Sequence, residues 1–199
     1  GRTPEAYALL QSGALRDSDL AYYYENELRR LDESKICATY GVFGSFWHPS
    51  GNMKKFGNHA MVGASVGGLF GDFFARFNIA FRLARSAQPY FVDFDGVSGW
   101  SDRSVGAKLT IDLGEYTHKG EHHEFGLFVG GGMEYLQPFH ELGDFSFKGF
   151  LGLVGLEYKL WLGENRLWNV RIDLKREWYG FWDGSGTDLS GTAWDLRLG

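Results

Sequence analysis

Residues Leu167 to Trp182 read LWNVRIDLKREWYGFW, and the stretch alternates with period two. Trp168, Val170, Ile172, Leu174, Trp178 and Trp182 fall on one parity, and Asn169, Arg171, Asp173, Lys175, Glu177 and Tyr179 on the other. Successive side chains of a strand point to opposite faces, so one face is hydrocarbon and indole while the other is a ladder of charges. A soluble sandwich also alternates, but it rarely needs so many tryptophans on its apolar face or a strand this long. A strand that crosses a bilayer in a closed barrel needs both, with apolar side chains towards lipid, polar ones towards the lumen and aromatic girdles at the two interfaces. Trp168 and Trp178 are ten residues apart. At roughly 3.3 Å per residue and a tilt of about 40° they stand about 25 Å apart vertically, the height of such a barrel's apolar band.

The same rhythm recurs outward from this stretch, and eight alternating segments are predicted from Lys35 to the last residue. The first runs over about 36–48, with Tyr40, Val42 and Phe46 outward; the second over about 58–70, with Ala60, Val62, Ala64 and Val66 outward. Over about 73–85 Phe73, Ala75, Phe77, Ile79, Phe81 and Leu83 oppose Arg76, Asn78 and Arg82. The fourth sets Val105, Ala107, Leu109, Ile111 and Leu113 against Lys108, Thr110 and Asp112; the fifth sets Phe125, Leu127, Val129, Met133 and Tyr135 against Glu124 and Glu134. The sixth, about 146–161, is less regular: Leu151 and Leu153 share the inner parity with Glu157 and Lys159. The eighth ends the chain, Trp194, Leu196 and Leu198 opposing Asp195 and Arg197. Connections alternate between short turns, such as Gly71-Asp72 and Gly163-Glu164-Asn165, and longer segments at 49–57, 86–102 and 137–145. An even number of strands closes a sheet without an edge.

Composition agrees with a β-rich membrane chain and excludes other classes. In 199 residues there are 29 Gly and only 4 Pro, with 17% aromatic residues, which suits close strand packing rather than helices or disorder. A formal charge of -5 with no basic run gives no footprint for nucleic acid, so no nucleic-acid partner is expected. No apolar run reaches the 18 residues of a spanning helix, an absence that leaves barrel strands untouched. Cys37 is the only cysteine, so no intramolecular disulfide or paired-thiol metal site is expected.

Residues 1–34 are of another kind. Thr3-Pro4 suits a helix start and Gly13 a stop; Asp17 or Ser18 can cap a second helix to about Asp32. Leu20, Tyr23, Tyr24, Leu28 and Leu31 recur at spacings of three and four, predicting one apolar face with nothing in the segment large enough to bury it. A short helical hairpin is expected, docking on a partner or on the barrel's inner end.

In its strand alternation, glycine and aromatic richness and loop asymmetry, the chain from about residue 36 to 199 resembles the small eight-stranded outer-membrane β-barrels, the OmpA-like and OmpX-like class, with no family-specific motif. The resemblance implies a bacterial outer-membrane location and contact with outer-membrane lipid. It also implies export behind a signal peptide, which is not visible at Gly1, so the expectation is of a mature form. That class ends in an aromatic residue, whereas this chain closes on Leu198-Gly199; either the chain is trimmed there or its assembly signal differs.

Candidate chemistry is sparse. Gly63-Ala64-Ser65-Val66-Gly67 matches a nucleophile-elbow pattern, but that mechanism needs a strand-to-helix turn, and Ser65 lies mid-strand on the inner parity. His122 and His123 are adjacent, so on a strand they face opposite ways; with His118 they are expected to be a solvated turn. His48, His59 and His140 share the outer end and would bind metal only if separate loops converged. Gly130-Gly131-Gly132 lacks the context of a phosphate cradle and is expected to serve close backbone packing. No catalytic residue, metal site or cofactor is therefore expected.

Fourteen charges share the inner parity: Arg76, Arg82, Lys108, Lys159, Arg171, Lys175 and Arg197, against Asp112, Glu124, Glu134, Glu157, Asp173, Glu177 and Asp195. Seven of each sign predict mutual pairing, since unpaired buried charges are very costly, in a lumen that eight strands leave just wide enough for side chains. Lys148 and Arg176 interrupt the outward parity near the outer end, where long side chains reach headgroups. The 86–102 segment carries Tyr90, Phe91, Phe94 and Trp100, aromatic surface that marks an exposed contact loop or, equally, rings that fold back onto the barrel mouth or extend the outer girdle. The sequence thus predicts a non-enzymatic outer-membrane barrel with a structural or interaction role, a scaffold or subunit of an envelope assembly with a protein partner. Two alternatives are an outer-membrane lipid-modifying enzyme and a soluble lipocalin-like carrier.

Overall fold

The computed structural model describes residues 36–94, 97–120, 122–137, 147–162, 168–181 and 189–199. The expected helical segment with Leu20, Tyr23, Tyr24, Leu28 and Leu31 lies outside the described residues. Ten strands follow in order: β1 (Ile36–Gly51), β2 (His59–Phe70), β3 (Phe73–Arg82), β4 (Arg85–Phe94), β5 (Val97–Arg103), β6 (Val105–Lys119), β7 (His123–Gln137), β8 (Phe147–Leu162), β9 (Trp168–Phe181) and β10 (Gly191–Leu198). Eight of them close into a barrel in the order β1-β10-β9-β8-β7-β6-β3-β2, with β2 returning to β1 and every neighbouring pair antiparallel.

The eight barrel strands are the eight alternating segments, and their sidedness follows the predicted parity. On β9, Ile172 is 42% exposed to the outside while its neighbour Asp173 is 0% exposed. Tyr40, Val62, Phe77, Ile111, Val129, Leu156 and Leu196 likewise face outward. Hydrocarbon covers the outside and charge fills the inside, the reverse of a soluble barrel.

One expectation needs correction. The segment 86–102, read as an exposed connection, is a second small sheet: β4 and β5 pair with each other across Phe91↔Trp100, Val92↔Gly99 and Asp93↔Ser98. Its own alternation explains this, because Tyr90 and Val92 turn inward and are buried while Phe91 and Trp100 turn outward as an aromatic cross-strand pair of the kind that stabilises a two-stranded ladder. The third barrel strand accordingly stops at Arg82, and the Ala84 carbonyl accepts from the Ser104 amide at 2.9 Å where the hairpin leaves the wall.

The two ends of the barrel differ. At one end, Gly71-Asp72 joins β2 to β3, with Gly71 at φ 65°, a left-handed conformation that suits glycine, and three residues join β6 to β7. At the other, which we call the mouth, 22 residues separate β3 from β6 and include the β4–β5 hairpin.

Tight curvature accounts for the interior glycines. A Cβ on Gly132 would lie 1.9 Å from the Leu109 carbonyl oxygen, and one on Gly130 would lie 2.3 Å from that of Ile111. Inward rings then lie across other glycines: Phe128 over Gly155, Phe43 over Gly63 and Phe74 over Gly114. Leu151 and Leu153, the irregularity of the sixth segment, use the space above the β7 glycines, with Leu153 Cδ1 3.0 Å from where a Gly130 Cβ would stand. Gly132→Ala is expected to destabilise the barrel by roughly 1–3 kcal/mol through overpacking. Gly152→Ala, with nothing within 4 Å of the added Cβ, is expected to be nearly neutral, as read by urea titration of refolding into detergent micelles.

Candidate functional site

All fourteen predicted lumen charges point inward, and all but Arg171 are buried. They pair across the lumen more than along the wall. Nearest the mouth, Arg82 and Glu134 share a close salt bridge, and the Arg82 Nε donates to the Ser104 carbonyl at 2.9 Å. Below them, the Lys108 ammonium lies 2.7 Å from Glu177 and 3.3 Å from Asp195, and Arg197 reaches Asp195 at 3.2 Å. Lys175 donates to Asp112 at 2.7 Å, and Asn78 adds a 3.0 Å bond to the same oxygen.

Deeper, Arg76 joins three carboxylates, Glu157 at 2.6 Å, Asp112 at 3.4 Å and Asp173 at 3.7 Å, while Arg171 lies 3.4 Å from Asp173. At the far end the Tyr116 hydroxyl donates to Glu157 at 2.6 Å, and Lys159 contacts both the Tyr116 hydroxyl and, at 3.3 Å, Glu124. Cation–π contacts complete the cations' surroundings: Arg76 sits 5.0 Å from the Phe74 ring centroid, Lys175 5.0 Å from that of Phe128, and Arg197 4.4 Å from that of Phe43. In water-poor surroundings a charge held this way is structural: it cannot move without leaving a partner uncompensated.

Above the charges lies an apolar cap that the sequence reading missed. Between Gly51 and Gly57, at φ 69° and 82°, Asn52–Phe56 forms one 3₁₀ turn that drives Met53 and Phe56 into the mouth. Trp47, Leu136, Tyr179, Leu189 and Ala193 close around them, all buried. Trp47 donates from Nε1 to the Tyr179 hydroxyl at 3.1 Å, and Arg82 stacks 4.4 Å below its ring. The available signal was the inner parity of Trp47 on β1; nothing local marked Met53 and Phe56 as buried.

Of the four aromatic residues predicted for the contact segment, Tyr90 belongs to this cap. Its ring meets Phe56 edge to face at 5.0 Å, its hydroxyl donates to the Arg103 carbonyl at 2.7 Å, and burial pushes its phenol up to about 12. Phe91 and Trp100 remain outside, packed edge to face at 5.7 Å, with Trp100 70% exposed. The side chain of Phe94 lies outside the described residues.

The histidines do not converge. His48 faces outward beside Asn58, whereas His59 turns inward, stacks on Trp47 and hydrogen-bonds the Phe56 carbonyl at 2.6 Å; His140 lies outside the described residues. At the opposite end the rings that meet are His118 and His123, stacked at 5.6 Å across the β6–β7 ladder. Among the described residues no cluster of three or more His, Cys, Asp or Glu is arranged to hold a metal ion. Ser65 is buried on the inner face, and its hydroxyl accepts from the Arg171 guanidinium at 3.5 Å.

No protein-family model matches the chain, and no curated protein matches it. Among solved structures it is similar to Ail, the attachment invasion locus protein of Yersinia pestis, with 14% sequence identity, coverage of 82% of this chain and 95% of that one, and a TM-score of 0.37.

Removing one member of the lumen network should be far more damaging than its formal charge suggests. Lys108→Met leaves Glu177 and Asp195 without their shared cation, and is expected to cost about 3–5 kcal/mol. Lys54, exposed on the 3₁₀ turn, should change stability by less than about 0.5 kcal/mol when replaced by methionine. Denaturant titration of refolding in lipid vesicles measures both.

Proposed function

We propose that this chain is an outer-membrane β-barrel of a Gram-negative envelope, non-enzymatic, serving as a scaffold or as a subunit that meets a protein partner. The observation that carries this reading is the sidedness of the wall: apolar and aromatic side chains outside, fourteen balanced charges inside. Water would penalise that exterior and hydrocarbon would reward it. A soluble carrier would place its charges on the other face. Closure of the ladder supports the same reading, because a sheet edge facing lipid would leave backbone groups unpaired.

The contact element in this reading is the outer face of the β4–β5 hairpin. Tyr90 and Val92 anchor it to the cap, while Phe91 and Trp100 present a paired aromatic surface flanked by Asp93 and by the Arg85–Asp102 pair at 3.7 Å. A rigid anchor under an exposed aromatic pair suits protein recognition, where rings of this kind supply much of the binding energy.

Two measurements test the reading. Ile172→Arg should cost roughly 2–4 kcal/mol in a bilayer refolding titration if β9 faces lipid, while Asn169→Ser should be mild; equal losses would reject the assigned orientation. A photo-crosslinking amino acid at position 100 should yield a discrete protein adduct in intact envelopes. Adducts with lipid alone would assign Trp100 to the membrane girdle and remove the hairpin's proposed role.

A further inference from the structure

On β9, β10 and β1 the outward wall changes character near the mouth. Six outward positions form a grid two rows high and three strands wide. Trp178, Thr192 and Ser50 lie in the row nearer the mouth, and Arg176, Trp194 and His48 lie directly beneath them. The next rows down are Leu174, Leu196 and Phe46, then Ile172, Leu198 and Gly44. The grid therefore sits on top of an unbroken hydrocarbon surface.

Within it Arg176 is held in place. Its Nη2 donates to the Thr192 hydroxyl at 2.6 Å, and that hydroxyl shares a second bond with Ser50 at 2.6 Å. The guanidinium carbon lies 5.0 Å from the Trp194 ring centroid. Beyond Trp194, the His48 Nδ1 lies 2.7 Å from the Asn58 side-chain oxygen. No carboxylate among the described residues pairs with Arg176, in contrast to the cations of the lumen. Lys148, the other outward cation near this end, has no hydrogen bond or ring contact among the described residues. An arginine that only reached for water would have no need of the hydroxyl pair and the stacked indole that orient it.

We propose that Arg176, Thr192, Ser50 and His48, framed by Trp178 and Trp194, bind a net-anionic lipid phosphate, one not already neutralised by a headgroup cation such as choline, in the leaflet at the mouth end. The proposal rests on the membrane reading above and adds a specific ligand group to it. A guanidinium offers a planar fork of donors that matches phosphate oxygens. With one donor engaged by Thr192 and one face on Trp194, the fork is pre-organised and its charge uncompensated until an anion arrives. The wall beneath suits the rest of such a molecule. Beside the Phe46 column, an apolar groove of about 580 Å³ is lined by Val42, Gly44, Val62, Ala64, Ile79 and Phe81. A Cβ on Gly44 would meet nothing within 4 Å, so an acyl chain descending from the phosphate can lie flat there.

Native mass spectrometry of the full chain in detergent micelles, with dioleoyl phosphatidic acid or dioleoyl phosphatidylcholine added, tests the site. The unmodified protein should retain phosphatidic acid over phosphatidylcholine by about ten-fold, the worth of one charge-assisted hydrogen bond. Arg176→Gln should bring the ratio close to one, Thr192→Val should lower it while leaving the barrel folded, and Lys148→Gln should leave it unchanged. The proposal is overturned if Arg176→Gln keeps the preference, if Lys148→Gln lowers it as much, or if the unmodified protein retains both lipids equally. Failure of the membrane reading looks different, since neither lipid would then remain bound to any variant.

Discussion

The structure depends on the pairing of charges across a closed lumen. Lys108–Glu177 and Lys175–Asp112 link β6 to β9, Arg76–Glu157 links β3 to β8, and Lys108–Asp195 links β6 to β10. None of these strand pairs are neighbours in the wall. Backbone hydrogen bonds hold each strand to the next; the ion pairs hold opposite walls at fixed separation. They also guard register, because sliding one strand by a residue would turn its charges outward and its apolar side chains onto the lumen charges that remain. Such pairs add little net stability compared with a hydrocarbon core, since desolvation cancels much of the Coulomb attraction. Their contribution is to make other arrangements worse.

That arrangement needs room, and eight strands leave little. Long cationic side chains and aromatic rings fit only because their neighbours are glycine. Phe128 illustrates the coupling: its ring lies where Gly155 leaves space, its Cβ lies beside Gly114, and the ring at the same time packs near Lys175 and Arg76. Glycine content, inward rings and lumen charge are thus one design problem with one solution. Glycines weaken strand propensity individually, and here that weakness is offset by what they allow to pack.

Most of the barrel was legible because period-two alternation with charge on one parity marks each strand and sorts its residues onto two faces. β9 shows this at full strength, and even Leu151 and Leu153, which blur β8, lie on the predicted face. Legibility failed where contacts are set by distant chain. Met53 and Phe56 are buried by Trp47, Tyr90 and Leu136, from strands far apart in sequence, and no local pattern announces that. The β4–β5 hairpin has the same origin: whether Tyr90 is exposed or folded onto the mouth is open in the sequence until Phe56 is placed beneath it. Adjacency put His122 and His123 on opposite faces and left His118 with them in a turn; the rings that meet are His118 and His123, across a ladder whose register shifts between Tyr116 and His118.

The cap has a consequence for where function can reside. Among the described residues, Trp47, Met53, Phe56 and Tyr90 place an apolar layer between the mouth and the lumen charges, a barrier to ions set by desolvation. Cap and hairpin share Tyr90 and Val92, which seal the lumen on one face of the strand and hold Phe91 and Trp100 to the exterior on the other. The residues that close the inside are the ones that build the outside. In the proposed reading, contact with a partner falls to the hairpin face and contact with lipid to the outer wall, where Arg176 pairs with no carboxylate among the described residues while Thr192 and Trp194 orient it.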